Sequence, residues 1–184
     1  LPGKTERKIV MSLADDRVGH EYKRLVDAGY RRSGTIAYRP ACPSCHACVP
    51  VRLPIVGFTP SKSLRRVASA NEDLDDRIMP PEARADHFDL FTRYQDGRHG
   101  GGEMADMSLA EYRALVEDSP VTTHVAEFRD SSGALLAVCL FDELAESLSA
   151  VYTFFEPSLN KRSLGSFMIL WLIKHCLETG KIDL

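Results

Sequence analysis

The feature that most limits what this chain can fold into is the run from Thr122 to Leu177. Thr122 to Phe128 and Leu135 to Leu144 have strand composition, and Asp130 to Gly133 between them supplies the Asp, Ser and Gly of a tight turn. Ser147 to Phe155 is a third strand, closed by Pro157. A short polar loop, Asn160 to Ser163, then leads into the strongest helical stretch of the chain, Leu164 to Leu177. Strands joined by such short turns pair antiparallel, so the segment predicts a meander with a helix returning over it. The implied class is α+β.

The residues ahead of this run are less regular. Leu1 to Lys8 is polar and reads as a loop. Val18, Tyr22, Leu25 and Val26 recur at helical intervals within Asp15 to Ala28, and Gly29 is placed to end that helix. Tyr30 to Arg39 reads as two short strands about Ser33-Gly34, and Val49 to Val56 as another. Thr59 to Asp75 reads as a helix. After Pro80-Pro81, helical spacing resumes from Glu82 to Tyr94, with Ala83, Phe88, Phe91 and Tyr94 as a core face. The glycine-rich stretch Gly97 to Gly102 predicts an irregular loop, either a surface connection or one that bends over a ligand. Ser108-Leu109-Ala110-Glu111 is a capping box opening a helix that ends near Asp118.

Cys42, Cys45 and Cys48 stand at three-residue intervals in Cys-Pro-Ser-Cys-His-Ala-Cys, between two basic, strand-like flanks whose ends the loop is expected to tie together. Thiolates two residues apart can face one tetrahedral ion, and Pro43-Ser44 supplies the turn. The alternative is a redox pair. A closed zinc site needs four ligands and three are present, since His46 sits inside the short turn. Cys139 and Cys176 lie in apolar runs and read as core thiols.

With 184 residues, 44% of them hydrophobic, the chain can bury a real core as one large domain or two small ones. We divide it at 1–58, carrying the cysteines, and 59–184. No apolar stretch is long enough for a membrane span and no signal-peptide pattern opens the chain, so the clustered thiols point to a reducing cytoplasm. The chain starts on Leu1 and stops soon after a helix, so both ends read as cut. Its net charge of -3 leaves nucleic acid to a local basic patch. Lys62, Arg65 and Arg66, with Arg52 upstream, form the densest such group, either a solvated face or a set of phosphate contacts.

Arg162, Ser163 and Gly165 occupy the start of the last helix, where free amides can bind a phosphate or a developing oxyanion. A hairpin, a third strand and a basic, glycine-containing helix start resemble the core of GNAT acyltransferases, in which that helix start holds the pyrophosphate of acyl-CoA. Longer words are more specific. Arg31-Arg32-Ser33-Gly34-Thr35-Ile36-Ala37-Tyr38-Arg39-Pro40-Ala41-Cys42, Cys45-x-x-Cys48-Val49-Pro50-Val51-Arg52, Pro60-Ser61-Lys62-Ser63-x-Arg65-Arg66, Met104-Ala105-Asp106-Met107, and Ser149-Ala150-Val151-Tyr152-Thr153-Phe154-Phe155-x-Pro157 followed by Arg162-Ser163-Leu164-Gly165 resemble the bacterial aminoacyl-tRNA–protein transferases over nearly the whole chain. The resemblance is strongest to the branch that uses leucyl-tRNA.

What that resemblance implies is an N-terminal cysteine-motif region, a GNAT-like C-terminal domain, and transfer of leucine from leucyl-tRNA to proteins with N-terminal Asp or Glu, marking them for degradation. An arginyl-tRNA donor and an acyl-CoA-dependent N-acyltransferase are the alternatives. No cofactor is required for the chemistry, while zinc or an iron-sulfur cluster is the expected occupant of the cysteine motif. Members carry a further cysteine ahead of Leu1 to Gly3 and an aromatic strand after the last helix, and this chain has neither. Asp106 is the expected general base, unless it serves the dipole of the helix at Ser108. Tyr152 is placed at the reacting centre, unless it is a packed strand residue. Lys62, Arg65, Arg66, Arg162, Ser163 and Gly165 are assigned to tRNA, and Arg39 or Arg52 to the acceptor carboxylate, which a guanidinium matches with two parallel hydrogen bonds.

Overall fold

The computed structural model describes residues 6–13, 18–102 and 104–184, with the side chains of 18–20 excepted. The proposed loop Leu1 to Lys8 and helix start at Asp15 lie partly outside them. Two antiparallel sheets form an α+β fold. The smaller contains β1 (Lys8–Ser12), β2 (Arg31–Ser33) and β3 (Ile36–Pro40), in the order β1-β3-β2, with α1 (Val18–Asp27) between β1 and β2. The larger is the predicted meander of β5 (Thr123–Arg129), β6 (Leu135–Glu143) and β7 (Leu148–Phe155), extended at the β5 edge by β4 (Asp75–Met79).

Four expectations are corrected. The helix read from Thr59 to Asp75 is only α2 (Lys62–Ser69); the Asn71 side chain donates to the Val67 carbonyl, and Asp75 onward becomes β4. That strand hid in the sequence because both its aspartates are exposed on a sheet edge, where charge is tolerated. Val49 to Val56 forms no strand, because Pro50 and Pro54 interrupt its donors. It pairs instead with the chain's end, Leu53 and Leu184 exchanging backbone hydrogen bonds at 2.7 and 3.0 Å. The cysteine loop therefore ties no strand ends together. Finally, α3 (Ala85–His99) runs through Gly97 into the stretch expected to be irregular; Pro157 packs so closely that a Cβ on Gly97 would lie 2.9 Å from its Cβ.

Both faces of the large sheet are covered. On one, α5 (Leu164–Glu178) lays Leu164, Met168, Trp171 and Leu172 against Phe128, Cys139 and Phe141. On the other, α3 and α4 (Leu109–Glu117) bury Leu90, Phe91, Tyr112 and Val116 against Val125, Val138 and Phe154. Strand β6, buried from Leu135 to Asp142, accordingly reads as a continuous apolar run rather than an alternating one. Cys139 and Cys176 are core thiols, burial pushing them up to about 12 and about 11.

Polar groups inside this core fix its parts. Asp142, fully buried on β6, accepts from Arg32 Nε at 2.7 Å and Nη2 at 2.8 Å, from Tyr22 Oη at 2.7 Å and from Thr123 Oγ1 at 2.7 Å. This knot spans the division drawn between 1–58 and 59–184. A second set anchors α3. Fully buried His87 meets Glu127 of β5 through Nε2 at 3.1 Å, and Arg129 bridges Glu127 at 2.6 Å and Asp86 at 2.5 Å. His87 Nδ1 has no partner among the described residues. A proton there would have no acceptor, which agrees with burial lowering His87 below its ordinary value of 6.5 despite Glu127.

Two outcomes follow. Asp142→Ala leaves Arg32 charged and buried without its partner, and urea unfolding should show a loss of roughly 3–5 kcal/mol, whereas Lys23→Ala, which breaks the surface pair with Asp27, should cost under about 1 kcal/mol. Because the unfolded chain protonates His87 near 6.5 and the folded chain only at lower pH, stability held above 6.5 is lost as pH falls below it. Urea midpoints of His87→Gln should lack that part of the decline.

Candidate functional site

Tyr152 is the point from which the site is built. In the β6–β7 register Leu140 faces Tyr152 and Phe141 faces Ala150, leaving Val151 as an extra residue. Such a bulge breaks the alternation of side chains and re-aims the next one. Val151 and Tyr152 thus both pack against the α3 side of the sheet, and β7 is one of its two edge strands.

Two cavities border this strand, of about 930 and 700 Å³, and both are walled by Ala150, Val151, Tyr152 and Ile169. The larger is completed by Gly29 to Arg32, Val49 to Leu53 and the end of the chain. Its exposed cations are Arg52, held loosely by Asp27 at 3.4 Å and Asp183 at 3.8 Å, and Arg31, which has no ion-pair partner among the described residues. The smaller is lined by Glu6, Tyr94, Gln95, His99 and Met104, with Gly102 at its rim. Tyr152 is half-buried, and its hydroxyl accepts from Gln95 Nε2 at 2.7 Å. Burial holds the hydroxyl above the ordinary phenol range, the Gln95 donor opposing it by less. Tyr152 thus presents a proton, not a charge, at neutral pH.

Of the acceptor candidates, Arg52 reaches the larger cavity. Arg39 does not line it; its guanidinium lies 5.1 Å above the ring of Tyr30, which does. Asp106 is exposed on the turn before α4, and the structure does not bring it to Tyr152. Sequence reasoning missed Gln95, Arg31 and Arg32. Gln95 had a signal, since His87, Phe91 and Gln95 at i, i+4 and i+8 put two polar residues on an apolar stripe.

The head of α5 differs from its expected form. Arg162 is turned away from the helix amides, donating to Asn71 Oδ1 at 2.9 Å and the Ala70 carbonyl at 3.2 Å and pairing with Asp73. Gly165 is small because the Phe155 ring lies over it, 3.2 Å from where a Cβ would stand. Ser163, in the left-handed region at φ 51°, is exposed and caps nothing with its side chain. Lys62, Arg65 and Arg66 stand exposed on α2, which packs on α5; Arg65 donates to the Pro60 carbonyl at 2.7 Å.

Among the described residues the thiols of Cys42, Cys45 and Cys48 are not gathered into one ligand set. Cys42 is half-buried while Cys45 and Cys48 are exposed, and three thiols leave a tetrahedral ion one ligand short. Among the described residues the cluster of three ligand atoms within 4.8 Å of one another is Asp86, His87 and Glu127, whose carboxylates Arg129 already bridges.

Residues 1–66 match the family model described as arginine-tRNA-protein transferase, N terminus, and residues 86–182 the one described as arginine-tRNA-protein transferase, C terminus. The chain is similar to proteins named aspartate/glutamate leucyltransferase. That of Paramagnetospirillum magneticum is 50% identical over 95% of this chain and 71% of the relative, and that of Rhodospirillum rubrum 46% identical over 100% and 74%. Among solved structures, FemX aligns with a TM-score of 0.56 at 8% identity, covering 97% of this chain and 62% of its own, and L-PGS from Bacillus licheniformis with 0.53 at 13%, covering 72% and 43%. At such identities the likeness concerns the fold alone. No helix among the described residues is long and apolar enough to cross a membrane. Matched in both its N-terminal and C-terminal parts, the chain belongs to the arginine-tRNA-protein transferase family.

Proposed function

We propose that this chain transfers leucine from leucyl-tRNA to the N-terminal Asp or Glu of proteins, on a GNAT-like C-terminal sheet whose cleft runs along β7. The observation that carries the reading is the pair of cavities meeting at one neutral tyrosine, which suits two substrates joined at a single reacting carbon. The relatives' name supplies the substrates. The smaller cavity, with the apolar walls Tyr94, Met104 and Val151, takes the leucyl side chain. The larger takes the acceptor's first residues, its acidic side chain meeting Arg31 and Arg52.

The reaction needs no covalent enzyme intermediate. The acceptor's α-amine, with an ordinary pKa of about 7.7–8.0, is substantially deprotonated near neutral pH. Its nitrogen attacks the ester carbon, forming the C–N bond and placing negative charge on the carbonyl oxygen, to which the Tyr152 hydroxyl donates. Collapse breaks the bond to the ribose oxygen, which leaves with the proton shed by the nitrogen. Positioning and oxyanion stabilisation carry the acceleration. Phosphates further along the acceptor arm meet Lys62, Arg65 and Arg66.

Incubation with leucyl- or arginyl-tRNA and peptides beginning Asp, Glu or Ala tests the whole reading by mass. Leucine should be added to the Asp and Glu peptides alone. Leucine on none of them, or arginine on the same peptides in its place, would overturn the assignment. Arg31→Ala with Arg52→Ala should raise KM for the acidic peptides roughly tenfold or more, with kcat little changed. Replacing Lys62, Arg65 and Arg66 by Ala should weaken tRNA binding and reduce its log–log salt slope by roughly two; an unchanged slope would remove α2 from the interface.

A further inference from the structure

We propose that Gln95 is a positioning residue for this transfer: its amide N–H, donated to the Tyr152 oxygen, turns the Tyr152 O–H proton into the space that both cavities share. The inference rests on the function proposed above and adds a residue to it.

A tyrosine hydroxyl offers one proton and two lone pairs. Gln95 Nε2 occupies a lone pair at 2.7 Å, so the proton must point elsewhere. Among the described residues nothing accepts it, and Tyr152 walls both cavities. The ring cannot turn away, since it packs 6.1 Å from Phe91 and 6.4 Å from Phe154 between centroids. Only the torsion about the C–O bond is left, and Gln95 sets it.

Gln95 is itself an expensive choice at its position. It is 1% exposed on the buried stripe of α3, where an amide without partners costs about 1–3 kcal/mol. Leucine or methionine would fill that stripe at no such cost, so the amide needs a reason, and its one side-chain partner among the described residues is Tyr152. The stem is fixed as well. The helix carrying it is pinned to β5 by His87, two turns earlier on the same face. Burial keeps Tyr152 protonated near neutral pH, so a directed proton is present to be donated.

The test uses the intact protein with leucyl-tRNA and an Asp-initiated peptide. Gln95→Leu keeps the volume and removes the donor; Gln95→Glu keeps the shape and substitutes an acceptor that captures the tyrosine proton. Each should lower kcat roughly tenfold or more, with KM for the acceptor peptide within about twofold. In a Tyr152→Phe background, Gln95→Leu should cause no further loss. Unchanged kcat in Gln95→Leu, or an equal loss with and without the hydroxyl, would show that Gln95 is structural only. A second readout needs no turnover. With tyrosine labelled at Cζ, NMR titration of Tyr152 should move to higher pH in Gln95→Leu, because a donor to the phenolate has been lost; movement to lower pH would mean that the tyrosine donates to the amide, and the inference fails. If the unaltered protein transfers nothing, the proposed function falls while the titration still decides the direction of the hydrogen bond.

Discussion

The carboxylate of Asp142 is the constraint on which the rest of the structure depends. A charge in the middle of an apolar strand costs several kcal/mol in lost hydration unless it is fully bonded, and here four donors from α1, β2 and β5 reach it. This requirement fixes register. A slip of one residue would carry Asp142 to the α5 face, into the place where Phe141 now packs against Trp171, and turn Phe141 toward Arg32. Because Asp142 faces Ser149 across the ladder, the small sheet is locked next to the bulged part of β7. Gly29 to Arg32 and Val49 to Leu53 thereby become the far wall of the larger cavity.

The cleft follows from how the two faces of the sheet are occupied. Strands β5 and β6 are covered on both sides, so neither offers backbone or side chains to a ligand. Among the described residues strand β7 has a strand neighbour on one edge only, its other edge being met at its start, where the Leu148 N–H donates to the Asp183 carbonyl at 3.1 Å, and its bulge puts consecutive side chains, Val151 and Tyr152, on the same face. Polar residues reach this place from α3, which is held against Glu127 by His87. A rigid core thus meets an open edge at one residue, and the proposed chemistry sits where the packing stops.

The class of fold was legible in the sequence because each large strand is bounded by turn residues and the last helix has a long apolar pattern. The capping box at Ser108 is found as read, with Ser108 and Glu111 each bonding the other's backbone. What escaped had a common cause: its residues act through partners far away in sequence. Strand β4 looks like the end of a polar helix until β5 lies beside it. Arg32 looks like one more surface cation until Asp142, itself conspicuous inside an apolar run, supplies the reason for its burial. A buried acid in such a run calls for a buried base, and that rule would have singled out an arginine on a short strand. Among the residues of the proposed site, Tyr152 and Arg52 were legible as candidates in a strand or a loop, whereas Gln95 is visible only as a polar break in a helical stripe.

Arg162 shows how a residue of the right kind near the right place can serve a different end. Read in sequence, it is a cation at the head of a helix, suited to a phosphate. In the fold it binds the Ala70 carbonyl and the Asn71 and Asp73 side chains, while Asn71 returns a bond to the Arg162 carbonyl at 2.9 Å. These contacts clamp the C-terminal end of α2 to the head of α5. The clamp orients three exposed cations on a helix of eight residues with no buried side chain of its own, which apolar packing alone could not hold. On a chain of net charge -3, a basic patch draws an RNA only if its charges stay together on one face. Arg162 therefore contributes to charge presentation by fixing α2 in place, and the grip on phosphate that we propose rests with Lys62, Arg65 and Arg66 instead.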